Sequence, residues 1–216
     1  MSPPGVGLHP RRVLVLCPHT DDELWCAGTL ARFIEGGASV HYVALSRCEE
    51  SVPDGLPSDT LEKECRGALA SLGCAPGSIE VWDLPVRRFP ERRQEVLERF
   101  VRLRGAIRPD LVLCPSTEDV HQDHATVAAE ALRAFKHTSL LGYEAPQNNF
   151  SFATGVFVKL SEANVTAKVR AIAEYRSQSF RPYASEEFIR SLARVRGVQV
   201  GAEYAEAFQA LRLVIE

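Results

Sequence analysis

No apolar stretch in this chain approaches the roughly 20 residues that a membrane-crossing helix needs, so no membrane span is expected. The N-terminus, Met1 to Arg12, holds proline and glycine but lacks the apolar core of a signal peptide, which points to a cytoplasmic protein. The six cysteines (Cys17, Cys26, Cys48, Cys65, Cys74 and Cys114) form no CxxC pair, which argues against a structural zinc knuckle. Reduced, buried thiols are the expectation. Neither sign of charge dominates. Lys and Arg total 25 against 28 for Asp and Glu, a formal charge of -3 and a pI of about 6.1, which gives no general electrostatic reason to bind nucleic acid or an anionic membrane. There is no tandem repeat, no low-complexity segment and no GxGxxG series around Gly28. An acidic loop stands in its place and repels a pyrophosphate, which argues against a dinucleotide site.

What is present suits one globular domain over residues 1–216, since 45% hydrophobic and 25% charged residues allow a full core. Residues 1–11 read as a flexible arm. Val13 to Cys17 is a continuous apolar run stopped by Pro18, the pattern of a strand buried on both faces of a parallel sheet. A helical stripe follows from Asp22, through Leu24, Ala27, Leu30, Ala31, Phe33 and Ile34, and stops at Gly36-Gly37. Strands are expected at Ser39–Leu45 and Ser78–Asp83. Between them lie a turn-rich loop, Arg47 to Ser58, and a helix opening at Ser58 or Asp59 and closing near Leu72. A helix over Glu91–Ile107, a strand over Leu111–Cys114 and a helix over His121–Phe135 continue the alternation. Leu140–Tyr143 and Ser151–Leu160 read as strands, Ser161 to Ser177 and Glu186 to Val195 as helices, and Ala205–Val214 has no clear pattern. The alternation predicts a doubly wound α/β fold of three layers with a mainly parallel sheet, plus a small C-terminal α+β section that walls the site.

Two stretches concentrate carboxylates beside histidine. His19-Thr20-Asp21-Asp22-Glu23 is a costly gathering of like charge unless a cation or solvent compensates it. Glu118-Asp119-Val120-His121-Gln122-Asp123-His124 is the second. Each follows a buried-strand run stopped by proline, and ligands of open α/β sheets bind beyond the carboxyl ends of strands. A catalytic zinc takes three protein ligands and keeps a fourth place for water. His19 and Asp22 stand three apart across a strand-to-helix turn and can converge on one ion, with His124 as the third ligand. This N, O, N set favours Zn2+, and Fe2+ or another divalent metal also fits. Asp21 suits the base that takes a proton from water, and His121 suits a proton holder near developing charge. Asp123 suits orienting His121 or stabilising its charged form. Glu23 reads as structural, serving the helix dipole or holding the loop by hydrogen bonds.

Pro18-His19-Thr20-Asp21-Asp22-Glu23 with His121-Gln122-Asp123-His124 resembles the PIG-L/LmbE-like family of zinc-dependent N-acetylglucosaminyl deacetylases, whose paired signature is (P/A)HPDDE after the first strand and HxDH after a later one. Leu72-Gly73, Pro109-Asp110, Tyr175-Arg176-Ser177-Gln178 and Ala205-Glu206-Ala207-Phe208 extend the resemblance over most of the chain. It implies a Rossmann-like α/β/α fold. It also implies His19, Asp22 and His124 as metal ligands and Asp21 as general base. His121 would be the acid that protonates the leaving amine or steadies the oxyanion, with Asp123 tuning it. Thr20 departs from the family's usual proline but removes no ligand. The implied reaction is hydrolysis of an N-acetyl amide on a small-molecule amino sugar or its conjugate, giving acetate and a free amine.

Asp83, at a strand end, and Arg88, in the cluster Arg87, Arg88, Arg92 and Arg93, are the candidate substrate-binding residues, against a plain solvated loop. Trp25 and Trp82 read as core. Two alternatives stay open: a metal-dependent hydrolase of another amide, ester or phosphoester, and a catalytically silent metal- or sugar-binding module. The acceptor sugar and the oligomeric state are not encoded legibly, although compact hydrolases of this kind often self-associate into homo-oligomers.

Overall fold

The computed structural model describes residues 7–215. Residues 1–6 of the expected arm lie outside the described residues, while Arg11 is tied down. Its N–H donates to Asp110 Oδ2 at 3.0 Å, and its carbonyl accepts the Ser39 N–H at 2.8 Å. The elements in chain order are β1 (Arg12–Cys17), α1 (Ala27–Glu35), β2 (Ser39–Ala44), α2 (Thr60–Ser71), β3 (Ile79–Val81), α3 (Arg93–Ile107), β4 (Leu111–Pro115), α4 (Gln122–Ala134), β5 (Ser139–Tyr143), β6 (Val156–Leu160), α5 (Glu162–Ala173), α6 (Glu186–Gln199) and β7 (Tyr204–Arg212).

The strands form one sheet in the order β3-β2-β1-β4-β5-β7-β6. The first five are mutually parallel, and β7 runs antiparallel between β5 and β6. The apolar runs of β1 and β4 are buried because both sheet faces are covered. One face packs on residues of α1, α2, α5 and α6, the other on α3 and α4. The chain leaves β1 toward β2 and returns to β4 on β1's other side, so the crevice at the carboxyl ends of β1 and β4 is the switch point where ligands of such sheets bind. No helix among the described residues is long and apolar enough to cross a membrane.

The expected C-terminal α+β section consists of α5 and α6 with the antiparallel β6 and β7, which extend the same sheet. One expectation is corrected. The helix expected from Asp22 begins as a tight 3-10 turn, Asp22–Trp25, and becomes α-helical only at Ala27. That turn keeps both Asp22 and Glu23 buried. The pattern of β7 was illegible because it carries a buried Glu206, which faces the N-terminus of α1. Its carboxylate accepts the Gly28 and Thr29 N–H groups at 3.1 and 2.7 Å and pairs with the buried Lys168 ammonium at 2.6 Å. Gly28 is required for this approach, because an added Cβ would lie 2.6 Å from Leu160 Cδ1 and 3.0 Å from Glu206 Oε1. Lys168→Met strands this carboxylate without its cation and is expected to cost about 3–5 kcal/mol in urea denaturation. Unchanged stability would mean that the helix dipole and the two amides suffice.

Candidate active site

His19 sits in the loop after β1, and His124 lies in the first turn of α4, whose N-cap is His121. Crossing the β1–β4 crevice, they meet at Asp22. His19 Nδ1 is 3.2 Å from Asp22 Oδ2, His124 Nε2 is 3.3 Å from the same oxygen, and the two nitrogens are 3.2 Å apart. An ion bound tetrahedrally at about 2.0–2.1 Å sets its ligand atoms about 3.3 Å apart, so this near-equilateral triangle fits one small divalent cation. His121 also offers a nitrogen within 4.8 Å of those of His19 and His124.

The opposite nitrogens of both rings face carboxylates. Asp123 Oδ2 is 3.1 Å from His19 Nε2, and Asp119 Oδ2 is 2.8 Å from His124 Nδ1. The latter is a close charge approach without the alignment of a good hydrogen bond. Such carboxylates fix the tautomer and orientation of ligand imidazoles. The sequence reading tied Asp123 to His121, and that pairing is corrected here. Only the Asp123 backbone N–H meets His121, donating to its Nδ1 at 3.2 Å. The carboxylate turns inward to His19 and accepts the Arg87 and Phe89 N–H groups at 2.5 and 3.2 Å. Asp119 had no assigned role. It also accepts the His121 N–H at 2.9 Å and an Asn148 side-chain N–H at 3.3 Å. Its only sequence signal was its place in the acidic cluster. Asp119→Ala is expected to weaken metal affinity about 10–100-fold in a chelator competition, and an unchanged affinity would remove it from the support of His124.

The titration behaviour follows from this packing. Burial works against charge on His19, yet the Asp22 and Asp123 carboxylates lift its pKa to about 9. Burial likewise opposes charge on His124, yet Asp22 and Asp119 lift it to about 10. Asp22 would be raised by burial, but the His124 and His19 rings hold it well below the usual carboxylate range. Burial, then the neighbouring Asp22, raises Asp21. Burial lowers His121, and the His19 and His124 rings lower it further. Burial pushes Glu23 up to about 8 against the hydrogen bond from Tyr175.

Glu23 is a loop brace. Its carboxylate accepts from Tyr175 Oη at 2.5 Å and Tyr42 Oη at 3.3 Å. The same two hydroxyls also lie against the Thr20 carbonyl and share their single protons between it and Glu23, so the turn is held without a proline. Next to Tyr175, Ser177 donates from its N–H and Oγ to Glu64 on α2, and Gln178 faces the cleft.

The triangle forms the floor of a cleft of about 230 Å³ that opens to solvent. Asp21 and His121 line it beside the three floor residues. Trp25, Leu61, Val86 and Tyr183 supply apolar walls, and Arg87, Arg181, Gln178, Gln147 and Asn148 supply polar ones. Trp25 is 4% exposed yet meets the cleft, 5.5 Å from the Tyr183 ring. Asp83 and Arg88 do not line it. Asp83 points to solvent and pairs with Arg99 at 3.4 Å, and Arg88 is exposed on the loop. The adjacent Arg87 is the one that faces the cleft. All six cysteines are buried and free.

A family model described as PIG-L, GlcNAc-PI de-N-acetylase, matches residues 14–135. The chain is 28% identical over 171 residues to an uncharacterized deacetylase, YaiS, of Escherichia coli K12, covering 76% of this chain and 90% of YaiS. Among solved structures, the conserved protein TT1542 from Thermus thermophilus matches with a TM-score of 0.77 at 30% identity, over 94% of this chain and 96% of that one. The N,N'-diacetylchitobiose deacetylase of Pyrococcus horikoshii has a TM-score of 0.78 at 20% identity, over 94% and 84%. GalB, a 4-carboxy-2-hydroxymuconate hydratase of a Pseudomonas, has 0.75 at 20%, over 95% and 98%. The last two likenesses establish a shared fold.

Proposed function

The chain belongs to the PIG-L family of GlcNAc-PI de-N-acetylases, and from that premise we propose that it is a metal-dependent hydrolase removing the N-acetyl group of a small amino sugar or sugar conjugate. The observation that carries the reading is the triangle of His19 Nδ1, Asp22 Oδ2 and His124 Nε2, with edges of 3.2–3.3 Å, each ring backed by its own carboxylate. The names of YaiS and of the chitobiose enzyme support deacetylation. The hydratase on the same fold means that the fold alone does not choose the reaction.

A divalent ion, most simply Zn2+, held by these three residues would polarise the acyl carbonyl and make a water acidic. Asp21 lines the cleft beside the triangle and takes the proton of the attacking water as its oxygen bonds to the acyl carbon. His121 accepts the Asp123 amide proton at Nδ1, so its own proton sits on Nε2. Neutral His121 therefore donates a hydrogen bond to the acyl oxygen as negative charge develops there. A charged ring would set a second proton against the Asp123 N–H, so of the two roles implied for His121 the oxyanion donor is the better fit. Asp21 then passes its proton to the amide nitrogen as the C–N bond breaks, releasing acetate and a free amine. Asp123 and Asp119 act by positioning His19 and His124. The near-neutral charge of the chain agrees with a small-molecule substrate rather than a nucleic acid.

Acetate and phosphate release from a panel of N-acetylated sugars and sugar conjugates, with and without a chelator, tests the proposal. Acetate release that stops on chelation and returns with added metal is expected. Phosphate release alone, or acetate release indifferent to the chelator, contradicts it.

A further inference from the structure

We propose that Tyr175, buried outside the cleft, is a positioning residue for the base: its hydroxyl holds the Thr20–Asp21 peptide and so aims the Asp21 carboxylate at the attacking water. This rests on the deacetylation reading above, in which Asp21 moves the proton.

Asp21 lines the cleft, yet nothing aims its side chain directly. Among the described residues its carboxylate takes no hydrogen bond from another residue. The carboxylates around it are fixed differently. Asp22 accepts the His19 N–H at 2.8 Å and meets both rings, and Asp123 accepts the Arg87 and Phe89 N–H groups. The direction of Asp21 therefore depends on its backbone, and no helix sets that backbone. Its φ of -105° and ψ of 5° lie in the sparsely populated bridge region, ahead of the 3-10 turn. On its C-terminal side the Asp21 carbonyl accepts the Leu24 N–H at a long 3.3 Å.

The tighter hold is on the other side. Tyr175 Oη lies between the Thr20 carbonyl and Glu23 Oε1, 2.5 Å from the latter, and shares its single proton between them. The Thr20 carbonyl belongs to the same rigid plane as the Asp21 N–H, so fixing that oxygen fixes how the chain leaves the plane at Asp21. Tyr42 Oη approaches the same carbonyl less closely, at 3.2 Å. Tyr175 is 3% exposed and does not line the cleft, so it acts without touching substrate. It follows α5 in the chain and is anchored by Ser177, whose N–H and Oγ donate to Glu64 on α2 at 2.9 and 2.6 Å.

The test is a double-mutant cycle on the full metal-loaded chain: the unmodified protein, Tyr175→Phe, Asp21→Asn and both together. Phenylalanine keeps the packed ring and removes one oxygen. In Tyr175→Phe, kcat for acetate release is expected to fall about tenfold to a hundredfold, the loss that follows a displacement of about 1 Å at a reacting group, with KM and metal affinity within about twofold of the unmodified values. In the Asp21→Asn background the same change is expected to move kcat by less than about twofold, because there is no base left to aim. Placing 4-aminophenylalanine at position 175 restores a donor and is expected to recover most of the lost kcat. Equal fractional losses in both backgrounds would make Tyr175 a general brace and overturn the proposal. So would an unchanged kcat, or metal affinity that falls in step with kcat. If Tyr175→Phe does not fold, Ser177→Ala loosens the same segment and leaves the phenol in place. Its fall in kcat, expected to be smaller, must likewise vanish in the Asp21→Asn background, and equal losses overturn the proposal. A crystal structure of metal-loaded Tyr175→Phe gives a readout without turnover: His19, Asp22 and His124 unmoved, with the Asp21 carboxylate displaced by about 1 Å or split over two conformers. An Asp21 carboxylate in its original place contradicts the proposal. If the unmodified protein releases no acetate, the deacetylation reading fails alone, and that structure still decides whether Tyr175 positions Asp21.

Discussion

Asp21→Asn is expected to lower kcat by about 10²–10⁴-fold while the protein keeps its metal. Asparagine has nearly the same shape but cannot accept the proton of the attacking water. The three atoms that close on one another are His19 Nδ1, Asp22 Oδ2 and His124 Nε2, and Asp21 contributes none of them. Burial and the adjacent Asp22 raise its pKa, which equips it to hold a proton between water and the leaving nitrogen. Metal content by elemental analysis and acetate release on the same sample check both halves. Full turnover with bound metal would take Asp21 out of the mechanism, and loss of the metal would make it a ligand.

Asp22→Asn is expected to act earlier, on the ion itself. Asp22 Oδ2 is the vertex shared by both rings and also accepts the His19 N–H at 2.8 Å. The amide can still accept that N–H but lacks the negative charge that offsets a divalent cation. Affinity should therefore drop by more than the about 10–100-fold that follows loss of a supporting residue such as Asp119. The remaining rings, His19 at about 9 and His124 at about 10 in the metal-free protein, owe their raised values largely to this carboxylate. An ion must displace those protons, because only a neutral imidazole binds metal. Affinity of the unmodified protein is therefore expected to rise with pH up to about 9–10, with protons released on uptake, and the slope should flatten in the variant. Competition with a coloured chelator across pH measures this. Unaltered affinity in Asp22→Asn would transfer the ligand role to another residue, and His121 is the neighbour best placed to take it.

The core of the fold was legible because β1 and β4 are apolar runs with both faces covered, and because each ends in proline before a cluster of charge. β7 was not legible, since Glu206 turns inward to the amides of α1 and so breaks the alternation. The triangle could be read from spacing, as His19 and Asp22 flank one turn and His124 opens the helix after the neighbouring strand. The direction in which each remaining carboxylate turns could not. Asp123 stands beside His124 in sequence yet its side chain meets His19, 104 positions away. Arg88 and Arg87 are indistinguishable as letters, and it is the left-handed backbone at Arg87, held by Asp123, that brings this residue to the cleft. Asp83 looked like a strand-end ligand because nothing local showed that Arg99, a helix away, would pair with it. The Tyr175-Arg176-Ser177-Gln178 stretch carries no local periodicity that reveals its contacts. In the fold Tyr175 braces Thr20 and Glu23, Ser177 fastens to Glu64, and Gln178 aims Arg181.

Anomalous X-ray scattering at the zinc absorption edge, from crystals grown with Zn2+, tests the metal assignment most directly. One strong peak is expected, bonded by His19 Nδ1, Asp22 Oδ2 and His124 Nε2 at about 2.0–2.1 Å. No peak at the β1–β4 crevice, or an ion held there without Asp22, would contradict the account.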